Sequence, residues 1–199
     1  MNPVSHIHGQ FVFTRRIRVL SDHIAKLIPA NARLLDVGCG DGTLTKRLCE
    51  LRPDITAEGV DVLIRPHTAI PVTKFDGHKL PFPDKTFDCV LFVDVLHHTE
   101  DPTIMLREAA RVTKNCILLK DHTQEGFLAH STLRFMDYVG NAHHGVVLPY
   151  NYWTRAQWTA AFQQLNLKTE TELRSLNLYP APASWFFDRD LHFISRLVK

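Results

Sequence analysis

The chain has 199 residues, enough for one ordinary domain with a sizeable core. Apolar residues make up 45% and charged residues 22%, a globular balance that excludes a disordered chain. The net charge is only +2, basic residues form no run longer than Arg15-Arg16, and no stretch approaches the roughly 18 apolar residues of a membrane span, so nucleic-acid binding and membrane insertion are not expected.

From Phe11 to Ile28 the apolar residues Phe13, Ile17, Leu20, Ile24 and Leu27 recur at helical spacing, and Pro29 stops the run. Arg33 to Val37 reads as a short strand, followed by a glycine-rich turn and a helix from Thr43 to Leu51. Ile55 to Asp61 and Val72 to Phe75 read as the next strands. Phe87 to Val93 is apolar nearly throughout, as in a strand buried on both faces of a parallel sheet. Asp101-Pro102 opens a helix to Val112, and Cys116 to Lys120 is a fifth strand. Alternation of strand and helix to residue 120 implies a doubly wound α/β sheet, with ligands at the carboxyl ends of the strands. Gly126 to Trp153 is rich in aromatics and histidines. A helix over Thr154–Leu165 follows, then final strands over Leu167–Leu178 and Leu191–Val198.

The polar start, Met1 to Gln10, has no apolar signal region, and a cytoplasmic protein is expected. Cys39, Cys49, Cys89 and Cys116 form no CxxC pair, which argues for a reducing compartment and against disulfides or zinc. Asp94, Asp121 and His122 are too thin a set for a magnesium site, so no metal is expected. His6 and His8 show no zinc spacing either.

The most informative segment is LLDVGCGDGTL, residues 34–44. Gly38, Gly40 and Gly42 lie between a strand and a helix, where backbone can approach a ligand and N–H groups are oriented toward it. A dinucleotide fingerprint would place its third glycine one residue later than Gly42. The pattern Asp36-x-Gly38-Cys39-Gly40-x-Gly42 instead resembles the first motif of class I S-adenosylmethionine-dependent methyltransferases. The resemblance continues in Gly59-Val60-Asp61 at the second strand end, in Asp76-Gly77-His78-Lys79-Leu80-Pro81-Phe82, and in Asp94-Val95-Leu96-His97-His98. These motifs span residues 33–120 and are similar to those of the small-molecule branch that includes ubiquinone and menaquinone biosynthesis enzymes.

That resemblance implies a mostly parallel seven-stranded Rossmann-like sheet, last strand antiparallel, with helices on both faces. It implies one domain over residues 1–199, with residues 1–30 as a helical cap and 122–153 as an insert on the substrate side. The expected cofactor is S-adenosyl-L-methionine. Asp36, Gly38, Cys39, Gly40 and Gly42 would hold its amino-acid end, Asp61 and Val62 its ribose, Asp76, Gly77 and His78 its adenine, and Asp94 and Val95 would lie beneath its methionine. His97, His98 and His122 fall at the reactive sheet edge and are the catalytic candidates. Arg134, Tyr138, His143, His144, Tyr150 and Tyr152 are the candidates for binding the acceptor, and Phe11 and Phe13 belong to the second variable region. A small-molecule acceptor is favoured, because the motifs of DNA-methylating enzymes are absent after strand four. A nicotinamide-dependent oxidoreductase and a non-catalytic cofactor-binding scaffold are the competing readings.

Overall fold

The computed structural model describes residues 3–141 and 149–199. The strands are β1 (Arg33–Val37), β2 (Thr56–Asp61), β3 (Val72–Lys74), β4 (Phe87–Val93), β5 (Thr113–His122), β6 (Lys168–Leu173) and β7 (His192–Val198). The helices are α1 (Pro3–Ile24), α2 (Thr43–Leu51), α3 (Pro102–Val112), α4 (Ala129–Asn141), α5 (Arg155–Gln164) and the short α6 (Ser184–Phe187). One 3₁₀ turn, Leu96–His98, follows β4.

The strands form one sheet in the order β3-β2-β1-β4-β5-β7-β6. β1 to β5 pair in parallel, while β7 runs antiparallel to both β5 and β6. The expected doubly wound α/β fold is therefore the observed one. Side-chain alternation divides the core between two faces. Leu35, Val37, Val90, Phe92, Ile117 and Leu119 pack toward Met105, Leu106 and Ala109 of α3 and Trp158 and Phe162 of α5. Leu34, Cys89, Leu91, Cys116 and Leu118 pack toward Leu20 and Ile24 of α1 and Leu48 of α2. β4 serves both faces at once, which explains its nearly unbroken apolar run.

Local chemistry sets the helix starts. Asp101 caps α3 by accepting from the Thr103 backbone N–H at 2.9 Å, with Pro102 in the first turn. Thr154 and Gln157 form a reciprocal capping box on α5.

Several boundaries differ from the sequence reading. α1 ends at Ile24, and the turn to Ile28 is carried by hydrogen bonds such as Ala25 N to Ser21 O. β5 continues past Lys120 through Asp121 and His122, because these residues pair with Phe193 and His192 of β7 and their side chains are buried. β6 stops at Leu173 instead of Leu178, since only Lys168–Leu173 pairs with β7. The aromatic stretch read as a connection contains α4, with Ala129, Leu133 and Asp137 on its buried side.

Phe92 is wholly buried in β4. Phe92→Ala is expected to lower unfolding free energy by about 3–5 kcal/mol, measured by urea denaturation. A loss below about 1 kcal/mol would contradict this placement of the core.

Candidate functional site

The order of the strands reverses between β1 and β4, and a ligand crevice belongs at such a switch point. A cavity of about 310 Å³ opens there. Its lining includes Asp36, Gly38, Cys39 and Gly40 after β1, Asp94, His97 and His98 after β4, and Arg16 from α1.

The loop after β1 is shaped by glycine. Gly38 has φ +73°, and a Cβ on it would lie 2.6 Å from Val95 Cγ2. Gly42 has φ +75°, and its Cβ would meet Ile70 Cγ1 at 2.5 Å. Both contacts are too close for any side chain, so the loop lies directly against its neighbours. The Gly38 N–H donates to Val60 O at 2.8 Å, tying the loop to β2.

Asp61, at the end of β2, reaches this loop. Its carboxylate accepts from the Gly40 N–H at 2.8 Å and from the Leu63 N–H at 2.9 Å. Val62 is exposed and lies beside Gly77, whose Cβ would sit 3.2 Å from Val62 Cγ1. Asp76 closes a tight exposed turn by accepting from the N–H groups of His78 and Lys79, each at 2.8 Å. The second and third motifs therefore form one rim beyond the glycine loop. Asp61, Val62, Asp76, Gly77 and His78 are not in the cavity wall itself.

Asp36 is buried and accepts from the Thr45 hydroxyl. Burial pushes its carboxyl up to about 7, against the opposing effect of that hydrogen bond. The Cys39 thiol is pushed upward, first by burial and then by Asp36 and Asp61, so it is not a nucleophile.

Asp94 has a backbone φ of +58° and lines the opposite wall. It is paired with Arg16 and with Lys120, whose side chain is fully buried. Burial opposes its charge, but these cations hold it well below the usual carboxylate range. The Lys120 ammonium is pushed down by burial while Asp94 supports it. His122 Nε2 lies 3.2 Å from Asp94 Oδ1, and its Nδ1 lies 3.1 Å from His192 Nδ1. Burial, followed by the charge on Lys120, pushes His122 and His192 well below the normal histidine range, so both are neutral.

The three candidate catalytic histidines do come together. Ring centroids of His97 and His98 are 4.0 Å apart, and those of His97 and His122 are 4.7 Å apart. Their environments differ sharply. His97 is buried, with Nδ1 2.6 Å from Asp121 Oδ1 and Nε2 3.4 Å from Asp137 Oδ2. Burial alone would lower its basicity, but the Asp121 and Asp137 carboxylates raise it to about 10. His98 is pushed down to about 4 by burial and by its neighbour His97. Without a ligand, then, His97 holds its proton at neutral pH and cannot accept another, whereas His98 is neutral and faces the cavity.

The insert contributes Met136 and Asp137 to the cavity wall, which the sequence reading did not single out. Tyr152 is buried behind Asp137 and donates to it at 2.5 Å. The Tyr138 side chain is 63% exposed and does not reach the wall. Arg134 is exposed, with its guanidinium 4.7 Å over the half-buried Tyr150 ring. His143 and His144 lie outside the described residues, as do the side chains of Phe11 and Phe13. Arg16, Lys120, Asp137, Tyr179 and His192 were missed because each acquires its role only through distant partners.

Residues 12–172 match the family model described as a methyltransferase domain. The chain belongs to this methyltransferase family. Among curated relatives, 27-O-demethylrifamycin SV methyltransferase of Amycolatopsis mediterranei is 32% identical over 110 residues, covering 48% of this chain and 40% of its own. Ubiquinone biosynthesis O-methyltransferase of Xanthomonas axonopodis pv. citri is 32% identical over 102 residues, covering 45% and 42%. The matched segments thus span about two fifths of those relatives. A S-adenosylmethionine-dependent methyltransferase structure from Thermotoga maritima superposes with a TM-score of 0.67 at 19% identity, covering 98% of this chain and 96% of that one. The fold is that of the Rossmann-like methyltransferases, and the cofactor of the family is S-adenosyl-L-methionine.

The residues at the sheet edge fit such a cofactor. The backbone at Gly40 is open, with nothing within 4 Å of where a Cβ would stand, and the Asp61 carboxylate lies beside it at the end of β2. One departure concerns Asp94, which already has Arg16 and Lys120 as partners.

The pH response of Asp36 follows from its raised pKa. The native state holds this proton more tightly than the unfolded chain does. Its contribution to stability is complete below about pH 4 and is lost as pH rises through about 7. Asp36→Asn does not titrate, so the variant should gain stability relative to the parent between pH 5 and pH 8. Urea denaturation of both proteins at the two pH values tests this, and a constant difference would contradict it.

Proposed function

We propose that this methyltransferase-family protein binds S-adenosyl-L-methionine and transfers its methyl group to a small molecule by in-line displacement. The observation that carries the reading is the Asp61 carboxylate on the Gly40 N–H. It joins the β2 acid and the glycine loop into one rim beside a cavity of about 310 Å³.

When bound, the cofactor supplies an electrophilic methyl group on a sulfonium. The work left to the chain is positioning, which can be worth roughly 7–11 kcal/mol. Asp61 and Val62 take the ribose, and Asp76, Gly77 and His78 take the adenine. The backbone of Gly38, Cys39, Gly40 and Gly42, with Asp36, takes the amino-acid end. Asp94 is taken up by its two cations; Arg16, which shares that pair and lines the cavity, is the nearby cation for the cofactor's carboxylate, and Asp36 is suited to its ammonium.

The acceptor lies over the histidines. His98 meets it directly, while His97 and His122 act through their fixed partners. Met136 and Asp137 of the insert close the far side. Tyr152 supports Asp137 from behind, and Arg134, Tyr138 and Tyr150 form the outer rim of the domain's insert. The relatives whose names specify rifamycin and ubiquinone chemistry support a small-molecule acceptor. Among the described residues no helix is long and apolar enough to cross a membrane.

Calorimetric titration of the whole chain with S-adenosylmethionine should show one saturable site. Asp61→Ala should weaken it at least about tenfold, equivalent to about 1.4 kcal/mol. Gly38→Val should abolish it, because the side chain would collide with Val95. Tight NADH binding with no S-adenosylmethionine binding would overturn the reading in favour of an oxidoreductase. Cofactor binding without any labelled methyl product from a metabolite extract would favour a scaffold.

A further inference from the structure

The floor of the cavity holds a feature that methyl transfer does not require. His97 is buried to 1% exposure, yet its Nε2 makes no hydrogen bond. The buried Nδ1 of the adjacent His98 makes none either. His97 Nε2 has only its 3.4 Å ion-pair contact with Asp137, and burying the His98 nitrogen beside it with no hydrogen bond is unfavourable and calls for an explanation.

Both histidines are near the same carboxylate. Ligand atoms of His97, His98 and Asp137 all lie within 4.8 Å of one another. His97 Nε2 and Asp137 Oδ2 are 3.4 Å apart. That separation is close to the edge of a tetrahedron with metal–ligand bonds of about 2.0–2.1 Å.

The outer partners also match. His97 Nδ1 donates to Asp121 at 2.6 Å, which leaves Nε2 as the nitrogen available for an ion. A carboxylate behind a ligating histidine is the usual means of fixing its orientation and raising its basicity. Asp121 is itself anchored by the Leu96 N–H at 3.0 Å and the His122 N–H at 2.8 Å. The Tyr152 hydroxyl donates to Asp137 Oδ2, the same oxygen that faces His97 Nε2, and so holds that carboxylate in place.

A second group, His97, Asp121 and His122, has equally close ligand atoms. It is the poorer candidate. His97 Nδ1 and Asp121 are already spent on each other, and His122 faces Asp94 and His192.

We propose that His97 Nε2, His98 Nδ1 and Asp137 form a binding site for one borderline divalent ion such as Zn²⁺. Two imidazoles and one carboxylate leave a coordination position open, and all three residues line the cavity. The three residues border the cavity in which the acceptor is proposed to lie. There the ion can bind an acceptor oxygen, and His98 serves as a ligand. Occupancy by the metal stands independently of the methyl-transfer reading, since it rests on these side chains alone.

The test uses the full chain, stripped with a chelator and titrated with Zn²⁺ in a calorimeter. One ion per chain should bind with a dissociation constant in the micromolar range or tighter. His98→Ala and Asp137→Asn should each weaken binding by more than about 100-fold, because loss even of an outer-shell partner costs 10–100-fold. His67→Ala, an exposed histidine elsewhere, should leave binding unchanged. X-ray absorption of the Zn²⁺-loaded parent provides a readout that needs no variant to fold. It should show nitrogen and oxygen neighbours at about 2.0–2.1 Å with an imidazole pattern. Absence of saturable binding up to millimolar Zn²⁺, unchanged affinity in both folded variants, or a sulfur shell at about 2.3 Å would overturn the site. S-adenosylmethionine titration of the same stripped protein separates failure of the metal site from failure of the cofactor site.

Discussion

The turn between β1 and α2 must touch two neighbouring strand ends at once, and only residues without a side chain at Gly38 and Gly42 allow it. Gly38 rests against Val95 after β4, and Gly42 rests against Ile70 before β3. With those contacts made, the backbone of Gly40 comes within reach of Asp61. The rim and the cavity beside it follow from this close approach. Substitution elsewhere in the loop alters chemistry, but substitution at these two positions alters where the loop lies.

The cavity's other wall is governed by buried charge. Lys120 is fully enclosed, and an unpaired ammonium there would carry a large desolvation cost. Asp94 meets that requirement, and Arg16 of α1 joins it from the opposite side. α1 is thereby fastened to the sheet edge by an ion pair as well as by Leu20 and Ile24. On the opposite face of β5, Asp121 orders His97 and receives the backbone of Leu96 and His122. Alternation along one strand thus places a cationic cluster on one side and a carboxylate–histidine cluster on the other.

The fold was largely legible because β1, β4 and the apolar part of β5 have patterns that local chemistry fixes. Apolar runs, a glycine turn and the Asp101-Pro102 helix start each carry their own physical signal. α4 was less visible because Phe135 and Tyr138 face solvent, while the buried stripe runs through Ala129, Leu133 and Asp137. The polar end of β5 was lost for a related reason: Lys120, Asp121 and His122 look like loop residues until their partners are known. The glycine loop and Asp61 were readable as one unit. The Asp137 pairing with His97 was not, since it joins residues 40 positions apart with no shared motif.

The rim made by Gly40, Asp61 and the Asp76 turn is the proposed nucleoside site. A crystal structure of the complex with S-adenosylhomocysteine tests it most directly. The account predicts ribose hydroxyls on the Asp61 carboxylate, with the amino-acid end lying between Asp36 and Arg16. A nucleoside bound away from Asp61, or an amino-acid end pointing out of the cavity, would contradict it.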